Sequence, residues 1–132
     1  MITLHILQYL HENGFGTIDE DLFFEKLPLG KSGVAIFSRG GGQSSGRASA
    51  SQTFDLYSRG SSDMTGMDKL EKIRQLFAQS YGELCELPIV PDVSNRVYKN
   101  CRFVPIDNIE NLGLDDEDRV IYRLGAQIIY QK

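Results

Sequence analysis

The chain of 132 residues has only two histidines and two cysteines. Few side chains are therefore available to bind a transition metal or to act as a nucleophile and its base. His5 and His11 lie six positions apart on a predicted helix, so they do not share a face in the way that a two-ligand metal site requires. Cys85 could be a thiol nucleophile with a histidine as its base, but no pattern brings them together or supplies an orienting partner. We therefore expect neither a metal site nor covalent catalysis.

A glycine-rich segment begins with Gly40, Gly41 and Gly42. Glycines of this kind can let backbone amides approach a phosphate group. A phosphate-binding loop is followed by a helix with a Lys-Ser or Lys-Thr pair, or lies in a βαβ unit. Here the segment leads into a predicted strand and that lysine is missing. We expect no nucleotide and no other cofactor.

A run of carboxylates occupies positions 115–118, as Asp115, Asp116, Glu117 and Asp118. Hard cations such as calcium bind oxygen ligands in loops, but a calcium loop needs alternating ligands, a central glycine and a distal glutamate. This run has no such order. It is typical of a solvated hairpin tip, and any role for it would be contact with a basic surface on a partner protein.

Composition limits the classes of function. The chain is 41% hydrophobic, which suits one domain over residues 1–132 with a single core. Its net charge is −4 and it has no basic block, which argues against sequence-specific binding of double-stranded nucleic acid. No signal peptide and no apolar run of membrane-spanning length is recognised, and we expect Cys85 and Cys101 to be reduced and buried.

Two helices are predicted from hydrophobic periodicity. The first covers residues 3–12, with Ile6, Leu7 and Leu10 on one face. The second covers residues 68–80, with Thr65 as its N-cap. Its apolar face consists of Met67, Leu70, Ile73, Leu76, Phe77 and Tyr81.

Strands are predicted where apolar residues alternate or cluster. Residues 33–38 and 52–58 look like antiparallel neighbours joined by a flexible Gly/Ser-rich loop over 39–51. Residues 19–26 fit a short strand or a turn. Residues 83–90 contain a short apolar piece followed by Pro88 and Pro91, which mark an edge strand or the end of a strand.

Two strand-like runs near the end of the chain, at 97–107 and 119–130, flank a polar connection at 111–118. They predict a long hairpin with an acidic tip. The helices are too few to cover both faces of a parallel sheet. The predicted fold is therefore α+β, a mostly antiparallel sheet of four to five strands with two main helices packed on one face.

The order of these elements resembles the tail terminator and minor capsid (tail completion) proteins of long, non-contractile-tailed bacteriophages. After a short amphipathic helix come Lys-Leu-Pro at 26–28, a strand pair at 34–37 and 53–57, and an amphipathic helix beginning at 68–73. The resemblance closes with Leu-Gly-Leu-Asp-Asp-Glu-Asp-Arg and a tyrosine-bearing strand within 109–122.

The resemblance implies a structural protein rather than an enzyme. Family members form hexameric rings on the head-proximal end of the tail tube, stop its polymerisation and present a docking face for the head. The implied partners are further copies of the chain, the major tail tube protein and a head-completion or neck protein. DNA would pass through the ring without being read, and no membrane is involved. The implied location is the virion at the head-tail junction, after assembly in the host cytoplasm.

The resemblance also suggests which residues would assemble. The 39–51 loop would become ordered against a neighbouring copy or the tube protein, and Arg39, Arg47 and Arg59 would bind carboxylates there. The acidic tip would contact a basic partner surface. The expected assembly interface consists of Arg39, Gly40, Gly41, Gly42, Arg47, Arg59, Asp115, Asp116, Glu117 and Asp118.

Three alternatives stay open. A neck protein, head-tail connector or another tail-completion protein would share most of this pattern. A small α+β enzyme or ligand-binding module would use a pocket between the second helix and the sheet, with Cys85, Cys101 or His5 at its rim. An adaptor would only recruit a host protein.

Overall fold

The structure is a computed structural model that describes residues 2–28, 30–39, 49–60, 65–115 and 117–131. Two α-helices are present in these ranges, α1 (Ile2–Glu12) and α2 (Thr65–Ala78), and a 3-10 turn (Gln79–Tyr81) follows α2. The strands are β1 (Leu22–Phe24), β2 (Gly33–Ser38), β3 (Ser49–Arg59), β4 (Cys85–Leu87), β5 (Tyr98–Pro105), β6 (Glu110–Leu114) and β7 (Val120–Gln131).

All seven strands belong to one sheet, whose order is β1-β2-β3-β7-β5-β4 with β6 beside β7. β1 and β2 are parallel, and the other pairs are antiparallel. β7 pairs with β3 along one edge, from Ser49↔Gln131 to Arg59↔Ile121. Its other edge is divided, since the first part pairs with β6 and the second part with β5. β7 is therefore the central strand.

The predicted fold class is wrong. In place of four to five mostly antiparallel strands with two helices on one face, the described residues form a mixed seven-stranded sheet that curls into a half-barrel. α1 contacts β1 and β2 at one end of the sheet and β4 at the other, which requires the curl. β1 lies within residues 19–26, for which a short strand or a turn was predicted, but it was not counted in the predicted sheet. β6 was missed because it lies in a polar connection that predicted a hairpin tip.

The individual elements agree better with the predictions. α1 begins one residue before the predicted 3–12, and β2 has the predicted bounds. α2 begins at Thr65 itself, which is therefore a helical residue rather than the residue before the helix, and ends at Ala78. β3 begins at Ser49, so it takes the last residues of the predicted 39–51 loop, and 40–48 lie outside the described residues.

One cluster of buried hydrophobic residues joins both helices to the sheet. From α2 it includes Leu70, Ile73 and Phe77 as predicted, whereas Met67 and Tyr81 are 38% and 52% exposed. Its aromatic centre is formed by Phe54, Phe77 and Phe103. Phe77 and Phe103 stack with ring centroids 4.0 Å apart, and Phe54 meets both edge-on. Neither α1 nor α2, the helices of the described ranges, is long and apolar enough to cross a membrane.

Candidate functional site

Both imidazoles are bound to backbone carbonyl groups. His5 Nδ1 lies 2.8 Å from the carbonyl oxygen of Pro88, and the His5 ring meets Tyr98 edge-on. His11 Nδ1 lies 2.7 Å from the carbonyl oxygen of Gly16. Because a carbonyl oxygen only accepts, each Nδ1 carries the hydrogen. Among the described residues no group of three or more His, Cys, Asp or Glu side chains could hold a metal ion.

The two cysteines lie opposite each other on β4 and β5, and both are free thiols. Cys85 Sγ donates to the carbonyl oxygen of Cys101 at 3.5 Å. A hydrogen bond from the Cys101 side chain lowers the pKa of Cys85, while burial raises the pKa of the neighbouring Tyr9 to about 12. Cys101 is fully buried and Cys85 is half-buried. The two thiols thus interact with each other and with the Tyr9 hydroxyl, whereas both histidines are hydrogen-bonded to backbone carbonyl groups.

Arg59, predicted at an assembly interface, is only 4% exposed. It donates to the carbonyl oxygens of Lys31, at 3.0 Å, and of Pro28, and it lies 3.4 Å from Asp115 Oδ2. It therefore ties the segment before β2 and the turn after β6 to the end of β3. The structure places two predicted interface residues, Arg59 and Asp115, against each other.

Asp115 organises the turn between β6 and β7. Its carboxylate accepts from the backbone amides of Arg119 at 2.8 Å and Glu117 at 2.9 Å. These hydrogen bonds, the amide of Arg119 first, lower the pKa of Asp115, and the Arg119 and Arg59 guanidinium groups act in the same direction. Glu117 is 59% exposed and pairs with Arg119 at 2.9 Å. Asp118 is exposed.

The other predicted interface residues are divided between described and undescribed parts of the chain. Arg39 is described, and its side chain is 40% exposed. The remaining predicted residues, Gly40, Gly41, Gly42, Arg47 and Asp116, lie outside the described residues.

Replacing Asp115 with asparagine is expected to lower stability at neutral pH and to have little effect in acid. A carboxyl whose pKa is lowered on folding stabilises the fold above its ordinary pKa of about 4, and that contribution disappears as pH falls through the lowered value. Denaturant unfolding of wild type and variant at pH 7, 5 and 3 measures the difference.

Asp118→Asn is the matched control, because Asp118 is exposed in the same turn and its positive φ of 60° suits asparagine. It should unfold like wild type throughout. An Asp115→Asn deficit that is equally large at pH 3 would contradict the assignment of the effect to the charged carboxylate.

An ion-pair network crosses the sheet face turned away from the core. Asp55 accepts from Arg39 Nε and from Arg123 Nε, each at 3.1 Å. Arg123 also lies 3.5 Å from Asp107 and 3.7 Å from Glu110. Asp55, only 8% exposed, thus has two cationic partners, which offset the cost of burying its charge.

Gly125 faces Asp55 across the β3–β7 pair. A Cβ atom at Gly125 would lie 2.7 Å from Arg39 Nη2 and 3.0 Å from Asp107 Oδ1. A side chain at this point of β7 would displace the ends of the Arg39 and Asp107 side chains, and glycine lets them approach without that shift. The amide of Gly125 also donates to Asp107 Oδ1 at 3.2 Å, which holds the connection after β5 against β7.

An apolar groove of about 550 Å³ lies beside this network. Leu27, Phe37, Tyr57, Leu112 and Ile121 line it, together with two polar side chains. Phe37 and Tyr57 meet edge-to-face with ring centroids 5.3 Å apart. Core residues of β2 and β3 alternate with these two along their strands, so the groove lies on the opposite face from the core.

β6 forms one wall of the groove, and each of its five residues is exposed. Leu112 is 46% and Leu114 is 64% exposed. One edge of β6 pairs with β7, and within the described residues no strand pairs with its other edge. The prediction of a polar tip missed this strand, although the alternation of Leu112 and Leu114 with Asn111 and Gly113 was a signal for it.

The geometry thus leaves an edge strand and an apolar groove on one side of the molecule, outside the core of this chain. Such a surface can bind another molecule through strand pairing and apolar contact. Comparison with known proteins gives no family for it: no protein-family model matches the chain, and no curated protein matches it significantly.

Proposed function

We propose that this chain is a structural virion protein that forms a ring on the head-proximal end of a phage tail tube. The ring ends polymerisation of the tube and gives the head a surface on which to dock. The observation that carries the proposal is β6, an edge strand whose five residues are all exposed and which carries two exposed leucines. The protein works through contact between chains and catalyses no reaction.

Strand β6 favours association for two reasons. Its outer edge presents backbone amide and carbonyl groups that another chain can pair with. Leu112 and Leu114 are outside this chain's core cluster. Removing apolar area from water is favourable by about 25 cal/mol per Å², which offsets part of the cost of association. Leu112 also lines the adjacent groove, where Phe37, Tyr57 and Ile121 extend its apolar surface.

The order of elements in the sequence is the reason why we propose a ring for the associated state. It resembles ring-forming tail terminator and tail completion proteins, and a head-to-tail contact closes into a ring when its rotation permits. The net charge of −4 disfavours adhesion to DNA passing through the ring. The proposed partners are further copies of the chain, the tail tube protein and a head-completion or neck protein.

The proposal is tested by light scattering on the purified chain, alone and with tail tube protein. A species of about six copies is expected, either free or on tube ends, and tube growth should stop when the chain is added. Leu112→Ser combined with Leu114→Ser should weaken assembly while leaving the circular dichroism melt nearly unchanged, because both side chains are exposed. A chain that stays monomeric in the presence of tubes would contradict the proposal.

A different position in the same particle is the nearest alternative. A neck protein or head-tail connector would also form a ring, but it would bind the head-completion protein and not the tube. Pull-down with each purified partner separates the two positions. An adaptor for a host protein would instead retain a host partner and no viral one.

The apolar groove favours a second candidate, a small ligand-binding module. Its volume of about 550 Å³ lies in the range of small-molecule sites, roughly 300–1,000 Å³. A thermal-shift screen with apolar and nucleotide ligands tests this function. A large, saturable rise in melting temperature that Phe37→Ala abolishes would favour a ligand over a partner chain.

A further inference from the structure

Charges of opposite sign are segregated between two consecutive parts of the chain. Residues 93–106 contain Arg96, Lys99 and Arg102 and no acidic residue. Residues 107–118 contain six acidic residues and no Lys or Arg, namely Asp107, Glu110, Asp115, Asp116, Glu117 and Asp118. The basic part contains β5 and the residues from Val93 onward in the turn before it, directly after the exposed Asp92, and the acidic part contains β6. Each part therefore suits a partner of the other part's charge.

The basic side chains of β5 are exposed. Arg96 lies over the Tyr98 ring, with its guanidinium carbon 4.2 Å from the ring centroid. Within the described ranges, none of Arg96, Lys99 and Arg102 forms a salt bridge. Beside them the turn between β4 and β5 exposes apolar side chains, with Val93 at 67%. We name Val93, Arg96, Lys99 and Arg102 the β5 surface.

The acidic part of the chain also has exposed charged side chains next to exposed apolar side chains, but its charge is negative. Asp107 and Glu110 are 43% and 56% exposed. Their contacts with Arg123, at 3.5 and 3.7 Å, are longer than a normal hydrogen bond, so their carboxylates keep the capacity to accept from another donor. Leu112 and Leu114 are exposed next to them. We name Asp107, Glu110, Leu112 and Leu114 the β6 surface.

The sheet keeps these two surfaces of one chain apart. Both lie along the same edge of β7, where Glu110 is opposite Arg123 and Arg102 is opposite Ile129. Six residues of extended strand span about 20 Å, and Lys99 lies further along β5. Because strand pairing fixes β5 and β6 to β7, Glu110 of one copy does not reach Lys99 or Arg102 of the same copy. The charges of these side chains are complementary only between molecules.

We propose that the β6 surface of one copy docks on the β5 surface of the next copy. The contact is head-to-tail, because it joins two different surfaces, and such contacts generate a ring when they close. Leu112 and Leu114 pack against Val93 and its neighbours, and Glu110 lies close to Lys99 or Arg102. The inference rests on the self-assembly in the proposed function and goes beyond it by naming the two surfaces.

Charge reversal tests the contact. Lys99→Glu alone and Glu110→Lys alone are each expected to weaken self-association at least about tenfold, since like charges then face each other. Mixing the two variants should restore assembly, because copies then alternate and every junction pairs opposite charges. The double variant should also assemble. Sedimentation or light scattering at fixed salt, with and without tail tube protein, gives the association constants.

Glu20→Lys is the control, because Glu20 is exposed and lies in the turn before β1, outside both surfaces. It changes the net charge as Glu110→Lys does and should assemble like wild type. Lys99 forms no salt bridge within the described part of the chain, so Lys99→Glu acts without disturbing an internal pair. Circular dichroism melts check that each variant is folded.

The outcomes separate this inference from the proposed function. Wild type that never self-associates, even with tubes, overturns both. Wild type that assembles while the single reversals assemble equally well overturns the docking of these two surfaces and leaves the ring intact. Reversals that weaken assembly but are not restored by mixing also overturn it, since the two charges then do not face each other. Restoration by mixing supports it.

Discussion

Replacing Arg59 with methionine is expected to lower the free energy of unfolding by about 3–5 kcal/mol. Methionine keeps most of the apolar length of the side chain but removes every donor. The carbonyl groups of Lys31 and Pro28 then lose their charged partner, and Asp115 loses one of its two cations. Arg59 is 4% exposed, so water cannot easily replace these interactions.

Urea unfolding monitored by circular dichroism measures the effect. Arg74→Met is the matched control, because Arg74 is 34% exposed and its pair with Glu71, at 3.3 Å, joins neighbouring turns of α2. Exposed pairs of this kind contribute about 0.2–1 kcal/mol. Equal effects of the two substitutions would show that Arg59 does not hold the fold in the way described.

The same substitution has a consequence for assembly. Asp115 follows β6 directly, and through it Arg59 fixes the end of that strand to β3. Releasing this contact should let β6 move and so weaken docking of the β6 surface more than the loss of stability alone explains. Measuring association of Arg59→Met at a temperature where it is fully folded separates the two effects.

Replacing Phe103 with alanine is expected to destabilise the fold by about 3–5 kcal/mol. Phe103 is fully buried on β5 and contacts aromatic rings from three other elements. Its ring stacks on Phe77 of α2 and on Tyr9 of α1, at centroid distances of 4.0 and 6.0 Å, and meets Phe54 of β3 edge-on at 6.2 Å. Truncation leaves a cavity where both helices meet the sheet.

Phe37→Ala provides the comparison, since Phe37 has the same side chain but lies half-buried at the apolar groove. Phe37→Ala should lower the free energy of unfolding clearly less than Phe103→Ala does, because the Phe37 ring is already partly in water. Thermal and urea unfolding of both variants rank them. A larger loss for Phe37 than for Phe103 would contradict the assignment of the core to the face that carries Phe103.

The sequence by itself determined the elements whose signal is local. The periodicity of Ile6, Leu7 and Leu10 predicted α1 and its buried face, and that of Leu70, Ile73 and Phe77 did so for α2. β2 was found with its bounds because six mainly apolar residues stand between turn residues. Such patterns repeat every 3.6 or two residues, so a short window of sequence contains them.

Tertiary structure alone decided the contacts between distant positions. Arg59 and Asp115 were both expected to face a partner, yet they lie 56 residues apart in sequence and meet inside the fold. Asp55 forms a salt bridge with Arg123 because of the register between β3 and β7, and no local sequence pattern specifies that register. The curl of the sheet and the pairing of polar β6 were likewise missed. These contacts and strand pairings all depend on the register between neighbouring strands. Packing over the whole sheet determines that register.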